Sequence, residues 1–325
     1  MSADPHIGAV VIGRNEGARL IRCLDSVLGR VAHVVYVDSG SSDGSVDAAR
    51  ARGVTVIELD LDTPFTAARA RNAGLEALLA LTHVDHVQFI DGDCELREGW
   101  IETAHAFLIS ADDVAVAFGR RRERFPEASV YNRLCDWEWD TPIGESGACG
   151  GDALMRVSAL QEVDGFNPGL IAGEEPDLCV RLRGRGWRIW RLDHEMTLHD
   201  AAMSRFGQWW KRTRRAGHAF AEGAAMHGAG PTGHWRRETR KALAWGAVLP
   251  AAILIAAIAL GPVALLAVLI YPAQILRLAI REGLDRTAWE RALFLVLGKF
   301  PEALGALSYW RGRLLGRRRG LIEYK

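Results

Sequence analysis

Two carboxylates one residue apart give the first chemical signal in the chain. Asp91-Gly92-Asp93 follows Val87, Phe89 and Ile90, a short apolar run of the kind that forms a buried strand. A glycine hinge at the carboxyl end of a strand lets both side chains turn toward one point in the crevice above an α/β sheet. Oxygen ligands of that type suit a hard divalent cation, Mg2+ or Mn2+, whose other positions are usually filled by water and phosphate. In isolation a solvated Asp/Gly turn reads the same way, so the surrounding residues have to decide. Asp38 also ends an apolar run, ahead of Ser39-Gly40-Ser41-Ser42-Asp43-Gly44. A carboxylate there can accept hydrogen bonds from a ribose or a base edge; helix capping, above all by Asp43, is the structural alternative. Arg71-Asn72 lie early in an Ala/Leu-rich stretch, where a guanidinium suits a diphosphate through charge-assisted hydrogen bonds. A solvated helix face is the alternative, and it fits Arg69 better than Arg71.

These residues need a scaffold that brings them together. Residues 7–12, 34–37, 54–59 and 87–90 read as strands, and apolar spacing predicts helices after residue 17 (Leu20, Ile21, Leu24, Val27, Leu28), over 46–52 and over 65–81. Strands alternating with helices mean βαβ units and a parallel sheet with right-handed crossovers. Asn15 and Glu16, Asp38, and Asp91 with Asp93 then all fall at the carboxyl ends of strands, where ligands of such sheets gather. No G-x-G-x-x-G opens the first helix and no G-x-x-x-x-G-K-[ST] is present, which removes the main support for a dinucleotide fold or a P-loop NTPase.

The 325 residues allow one large domain or two ordinary ones, and 49% hydrophobic with 25% charged residues describes a folded chain. The five cysteines (Cys23, Cys94, Cys135, Cys149, Cys179) show no C-x-x-C or zinc-finger spacing and read as reduced cytosolic thiols. No signal peptide is apparent at the N-terminus.

Taken in order, IGAVVIGRNEG, VVYVDSGSSDGS, ARARNAGL and FIDGDCEL resemble the donor half of a family 2 glycosyltransferase with the GT-A fold, over roughly residues 7 to 220. The resemblance implies a nucleotide-sugar donor, with Asn15, Glu16, Asp38, Arg71 and Asn72 on its side of the cleft. It places Asp38 near the base or ribose, and Asp91 and Asp93 on the metal and diphosphate, Asp93 being the better metal ligand. In the second half, Gly150-Gly151-Asp152-Ala153-Leu154-Met155-Arg156 looks like a strand and turn lining the acceptor site. Val163-Asp164-Gly165-Phe166 resembles the family's GGF segment, with Asp164 in place of its first glycine. In Gly173-Glu174-Glu175-Pro176-Asp177-Leu178, Glu175 stands where the family has the Asp that acts as general base. Either carboxylate can take a proton from a hydroxyl within hydrogen-bond reach, so Glu175 and Glu174 are both candidates. Pro176 fits a first helical position, and an acidic helix start complementing the dipole is the structural alternative. Residues 187–192 alternate like a strand, and His199 beyond them could complete the metal's coordination or serve as a satisfied structural histidine. Trp137, Trp139, Trp209 and Trp210 are candidate acceptor platforms or ordinary packing residues. Gln208-Trp209-Trp210-Lys211-Arg212 lacks the Gln-x-x-Arg-Trp pattern of processive synthases, so one sugar per acceptor is expected.

Residues 242–276 carry no charge, a run longer than the roughly 20 residues that one bilayer crossing requires. Gly261-Pro262 near its middle would divide it into two spans. Arg237, Arg240 and Lys241 before it and Arg277 and Arg281 after it favour two cytoplasmic flanks; a re-entrant hairpin, or a buried helical pair, is the alternative. Residues 288–310 read as an interfacial helix, and Arg311, Arg313, Arg317, Arg318 and Arg319 suit anionic headgroups. Nothing suggests nucleic-acid readout.

The expected architecture is an α/β GT-A domain over 1–235, a Rossmann-like, mostly parallel sheet flanked by helices, followed by a membrane-associated helical region over 236–325. The expected function is metal-dependent, inverting, non-processive sugar transfer to a lipid-linked or saccharide acceptor. The expected place is the inner (cytoplasmic) membrane, with the catalytic domain facing the cytoplasm. Two rivals stand beside it. A sugar nucleotidyltransferase needs a glycine-rich basic loop, and Gly13-Arg14-Asn15-Glu16-Gly17 is too short and too acidic. A non-catalytic membrane adaptor is kept open by Glu at position 175.

Overall fold

The computed structural model describes residues 4–316, and the chain divides into two compact units, Met1–Ala202 and Met203–Lys325. Arg317, Arg318 and Arg319 lie outside the described residues.

The first unit runs β1 (Asp4–Gly13), α1 (Ala18–Val27), β2 (Val31–Asp38), α2 (Ser45–Arg50), β3 (Thr55–Glu58), α3 (Ala67–Leu81), β4 (His86–Asp91) and β5 (Cys94–Leu96). It continues through α4 (Trp100–Ser110), β6 (Val114–Glu123), α5 (Val130–Glu138), β7 (Gly144–Ser146), β8 (Ala153–Arg156), α6 (Val157–Glu162), α7 (Glu174–Gly184) and β9 (Arg188–His199). Among the described residues nine strands form one sheet, in the order β3-β2-β1-β4-β8-β6-β9-β5, with β7 beside β9.

The four leading strands are parallel, as unbroken apolar runs predict, because a parallel sheet covered on both faces asks for hydrophobic side chains at every position. Ile7, Val10, Val11, Val35, Tyr36, Val87 and Phe89 are fully enclosed. Beyond β4 the sheet is mixed: β8 lies antiparallel to both β4 and β6, while β9 runs parallel to β6. Register then fixes what meets at the strand ends. Gly13 pairs with Asp38 and Ile12 with Asp91. At the far edge Cys94 and Glu123 both pair with His199. Asp93 is thereby delivered beside His199 although more than a hundred residues of chain separate them.

Helix α3 sits unusually close to β1 and β2. A Cβ at Gly74 would run into the side chains of Val10 and Val37, so only glycine allows this seat, and the seat drives Arg71, one turn earlier, into the interior.

The second unit is helical: α8 (Phe206–His227), α9 (Arg236–Leu243), α10 (Leu249–Leu260), α11 (Ile270–Glu282), α12 (Arg286–Leu297) and α13 (Lys299–Leu314). Gly217 on α8 and Gly305 on α13 leave no room for a Cβ, so the two helices touch backbone to backbone. Gly261, at φ 98°, and Pro262 interrupt the apolar run where the sequence predicts a break. Three helical stretches are long and apolar enough to cross a membrane by length and composition: Arg236–Leu260, Pro262–Glu282 and Arg286–Leu314. The third contains the segment expected to be interfacial. Its most apolar window is 44% buried, against 6% for each of the others, so the first two are the uncovered ones.

Gly74→Ala is expected to lower stability by about 1–3 kcal/mol through overpacking against β1 and β2. Denaturant unfolding of both proteins measures it; equal midpoints would show that α3 has room to retreat.

Candidate active site

Arg71 is the centre of the cleft. Its guanidinium, almost entirely buried, donates from Nη1 to Glu174 Oε1 at 3.0 Å and from Nη2 to Asp91 Oδ1 at 2.9 Å. Nη2 also lies 3.1 Å from Glu175 Oε1, and the ring of Phe166 stacks 5.5 Å away. The planar fork of arginine suits this work, since it can hold several carboxylates at fixed angles. Arg121, from the end of β6, faces the same group from the other side. Its Nη2 donates to Asp91 Oδ2 at 3.3 Å and lies 2.9 Å from Asp152 Oδ2. Asp152, fully buried, also accepts from the Asp91 backbone N–H at 2.9 Å and from Thr197 Oγ1 at 2.7 Å. A Cβ at Gly151 would stand 2.6 Å from Arg71 Nη2 and 2.7 Å from Asp91 Oδ2. That position admits only glycine while the cluster is intact.

Protonation follows from these contacts. Burial works against ionisation of Asp91, but Arg71 and Arg121 outweigh it and hold the carboxyl below its ordinary range. Glu175 goes the other way: burial and the adjacent Glu174 charge push it up to about 7 against the pull of Arg71. Burial disfavours the His199 imidazolium, yet Asp93 and Glu123 raise its pKa above the ordinary histidine value.

His199 Nε2 lies 3.4 Å from Asp93 Oδ2 and its Nδ1 lies 3.3 Å from Glu123 Oε2. Asp93, Cys94 and His199 present ligand atoms within 4.8 Å of one another, as do Asp91, Cys94 and Asp152. Cys94 is a poor candidate, because burial holds its thiol protonated and hard cations prefer oxygen. Both oxygens of Asp91 are engaged by arginines, which leaves Asp93 and His199 as the pair that could hold a cation. Asp91, Asp93, Asp152, Glu174 and Glu175 outnumber Arg71 and Arg121, so the residues fit a group that brings positive charge.

Residues 9–163 match the family model for Glycosyl transferase family 2. The match supports a glycosyltransferase family 2 domain over those residues, just under half of the chain. It is similar to a glycosyltransferase, AglE, of Haloferax volcanii, with 24% identity over 66% of this chain and 73% of that one. It is 29% identical to the pre-mycofactocin glycosyltransferase of Mycobacterium tuberculosis over 60% of this chain, and spans only 42% of that protein's length. The structure resembles that of a Pyrobaculum calidifontis mannosyltransferase solved with GDP-Man and Mn2+, with TM-score 0.64 and 18% identity over 94% of this chain and 89% of that one. That likeness shows the fold, and the sheet of this glycosyltransferase is of the GT-A type.

Within the glycosyltransferase cleft the remaining sequence candidates occupy distinct places. Asp38 is buried; its Oδ1 accepts from Tyr36 Oη at 2.8 Å, and its Oδ2 from the Gly40 and Ser41 amides at 2.9 and 2.7 Å. Its visible work is to shape its own loop. Asn15, at φ 56°, braces that loop by donating its backbone N–H to Ser41 Oγ and accepting from the Ser42 amide, while Glu16 pairs with Arg19 at 2.7 Å. Asn72 is paired in both directions with the Phe166 backbone, fixing the turn at Asp164 and Gly165, both in left-handed conformation. Trp139 sets its ring edge-on to His199 at 4.7 Å and under Arg121 at 5.3 Å; Trp137 is half-buried on α5. Trp209 belongs to the second unit, buried against Phe294 at 4.9 Å.

Helix α7 starts at Glu174, not at Pro176, because Gly173 at φ 83° turns the chain into the helix two residues early. Pro176 still lies in the first turn, where backbone N–H groups have no intrahelical partner. Asp177 is occupied by Arg181 at 2.9 Å, the structural use of an acidic helix start. Arg121 and Glu123 were not among the sequence candidates. Their only signal is that Arg120-Arg121-Arg122-Glu123 closes a strand, where alternate side chains turn inward.

Arg71→Leu removes the buried cation and leaves its carboxylates uncompensated, with an expected loss of about 3–5 kcal/mol. Urea unfolding reads this directly, and a loss under about 1 kcal/mol, typical of an exposed pair, would contradict it.

Proposed function

We propose that this glycosyltransferase moves one sugar at a time from a nucleotide-sugar donor to an acceptor hydroxyl with inversion at the anomeric carbon. The observation that carries the reading is Glu175: a carboxylate of the cleft whose surroundings push its pKa up to about 7, the range in which a general base works best. Both glutamates reach Arg71, and Glu174 is the weaker candidate because its side chain is only 5% exposed, against 15% for Glu175. Glu175 would accept the acceptor's hydroxyl proton as that oxygen bonds to the anomeric carbon. The bond from that carbon to the diphosphate oxygen breaks on the opposite face, and the electron pair leaves with the nucleoside diphosphate.

Asp93 and His199, with Asp91 beside them, would hold Mg2+ or Mn2+; bound there, such a cation supplies charge that offsets the charge of a departing diphosphate. Arg71 and Arg121 keep Asp91 ionised and in place. Asn15, Glu16, Asp38 and Asn72 shape the donor side through the loops they brace. Gly151, Trp139 and Trp137 would face the acceptor, with Asp152 positioning Asp91 and Arg121, whereas Trp209 packs against Phe294 within the second unit. The fold similarity to a protein holding GDP-Man and Mn2+ supports the donor and metal classes.

The acceptor we favour is lipid-linked, or a saccharide delivered at a membrane. Arg236, Arg237, Arg240 and Lys241 are exposed at the head of Arg236–Leu260, and Arg277 and Arg281 are exposed near the end of Pro262–Glu282. Basic flanks on both sides of a two-span hairpin favour the inner membrane with the catalytic unit on the cytoplasmic side, where the basic residues can meet anionic lipids.

Because only ionised Glu175 can accept a proton, kcat/KM should rise with pH and level off above a midpoint near 7. Glu175→Gln should lower kcat/KM by roughly 100- to 10,000-fold and abolish that acid limb. Transfer kinetics across pH check both; wild-type rates in the variant would rule Glu175 out as base.

A further inference from the structure

A fully buried carboxylate normally has an arginine or lysine beside it. Glu123 has a side chain that is 0% exposed, and among the described residues the titratable group it meets is His199. Its other contacts are fixed N–H donors. Oε1 accepts from the Phe125 backbone at 3.2 Å and from Asn132 Nδ2 at 3.3 Å, and Oε2 accepts from the Ala201 backbone at 3.1 Å. These donors come from the loop after β6, from α5 and from the segment after β9, so the carboxylate is clamped from three directions. Glu123 and His199 are also register partners across β6 and β9.

The imidazole lies between two carboxylates, with Glu123 at Nδ1 and Asp93 at Nε2, and the edge contact with Trp139 limits its rotation. A neutral imidazole carries one proton, and only the nitrogen without it can be a ligand. We propose that Glu123 is a positioning residue: by accepting a hydrogen bond from Nδ1–H it fixes the His199 tautomer and keeps Nε2 facing Asp93 as a ligand for a divalent cation. The inference rests on the reading of Asp93 and His199 as the metal pair, and adds what makes His199 competent. Carboxylates hydrogen-bonded to ligand histidines play this part in metal sites generally. A purely structural Glu123, stitching Phe125 and Asn132 to the strand, would leave the tautomer to chance.

Two measurements test it. Mn2+ titration of the full chain, followed through the EPR signal of the free ion, should show Glu123→Gln binding about 10- to 100-fold more weakly than wild type, with the variant still cooperatively folded. Long-range 1H–15N correlations of His199 in the wild-type protein at saturating Mg2+ should place its proton on Nδ1. If wild type binds no Mn2+, the metal reading falls and takes this inference with it. If wild type binds and Glu123→Gln binds within about twofold, the positioning role alone is wrong. A wild-type proton on Nε2 overturns it too, even where the variant fails to fold.

Discussion

Everything in the catalytic unit depends on one buried guanidinium holding carboxylates that would otherwise repel one another. Arg71 reaches Asp91 at the end of β4 and both Glu174 and Glu175 at the start of α7. Burying such charges is expensive, and the arrangement persists only because each is matched by a well-aligned partner. Arg71 therefore does more than pair: it sets the separation between the acidic start of α7 and Asp91 at the end of β4. Phe166 under the guanidinium and glycine at 151 above it remove the freedom to relax.

The same constraint divides labour among neighbouring carboxylates. Asp91, with arginines on both oxygens, is kept ionised, and Glu175, with burial and Glu174 against it, is held near the point of protonation. Environments that drive acidic groups apart in this way are what proton-transfer sites require. At the other edge, β5, β9 and β6 lie side by side with Cys94 and Glu123 both in register with His199, and Asp93, one residue before β5, completes a line of alternating acid and imidazole.

Much of this was legible in the residues. The runs that became β1, β2 and β4 are apolar without interruption, and their ends carry Asp38 and Asp91 where a parallel sheet must present them. Arg71 and Asn72 could be placed on α3, although nothing in their spacing separated the arginine that enters the cleft from the asparagine that pins the turn at Phe166. Arg121 and Glu123 are not legible in the sequence, because a charged run at a strand end looks like a solvated edge until the strands on both sides are known. The start of α7 shifted by two residues because a left-handed glycine, not the proline, sets it. The third membrane-length helix was masked by Glu290, Arg291 and Lys299, which dilute its apolar character.

Metal-dependent use of a nucleotide sugar at this cleft can be read in a donor-hydrolysis screen. Detergent-extracted full-length protein is offered UDP- and GDP-sugars with Mn2+, with Mg2+, and with a chelator. Turnover of at least one nucleotide sugar with a divalent cation, and loss of that turnover in the chelator, is the expected result. Failure to bind or turn over any of them with either metal, or undiminished turnover in the chelator, would contradict it.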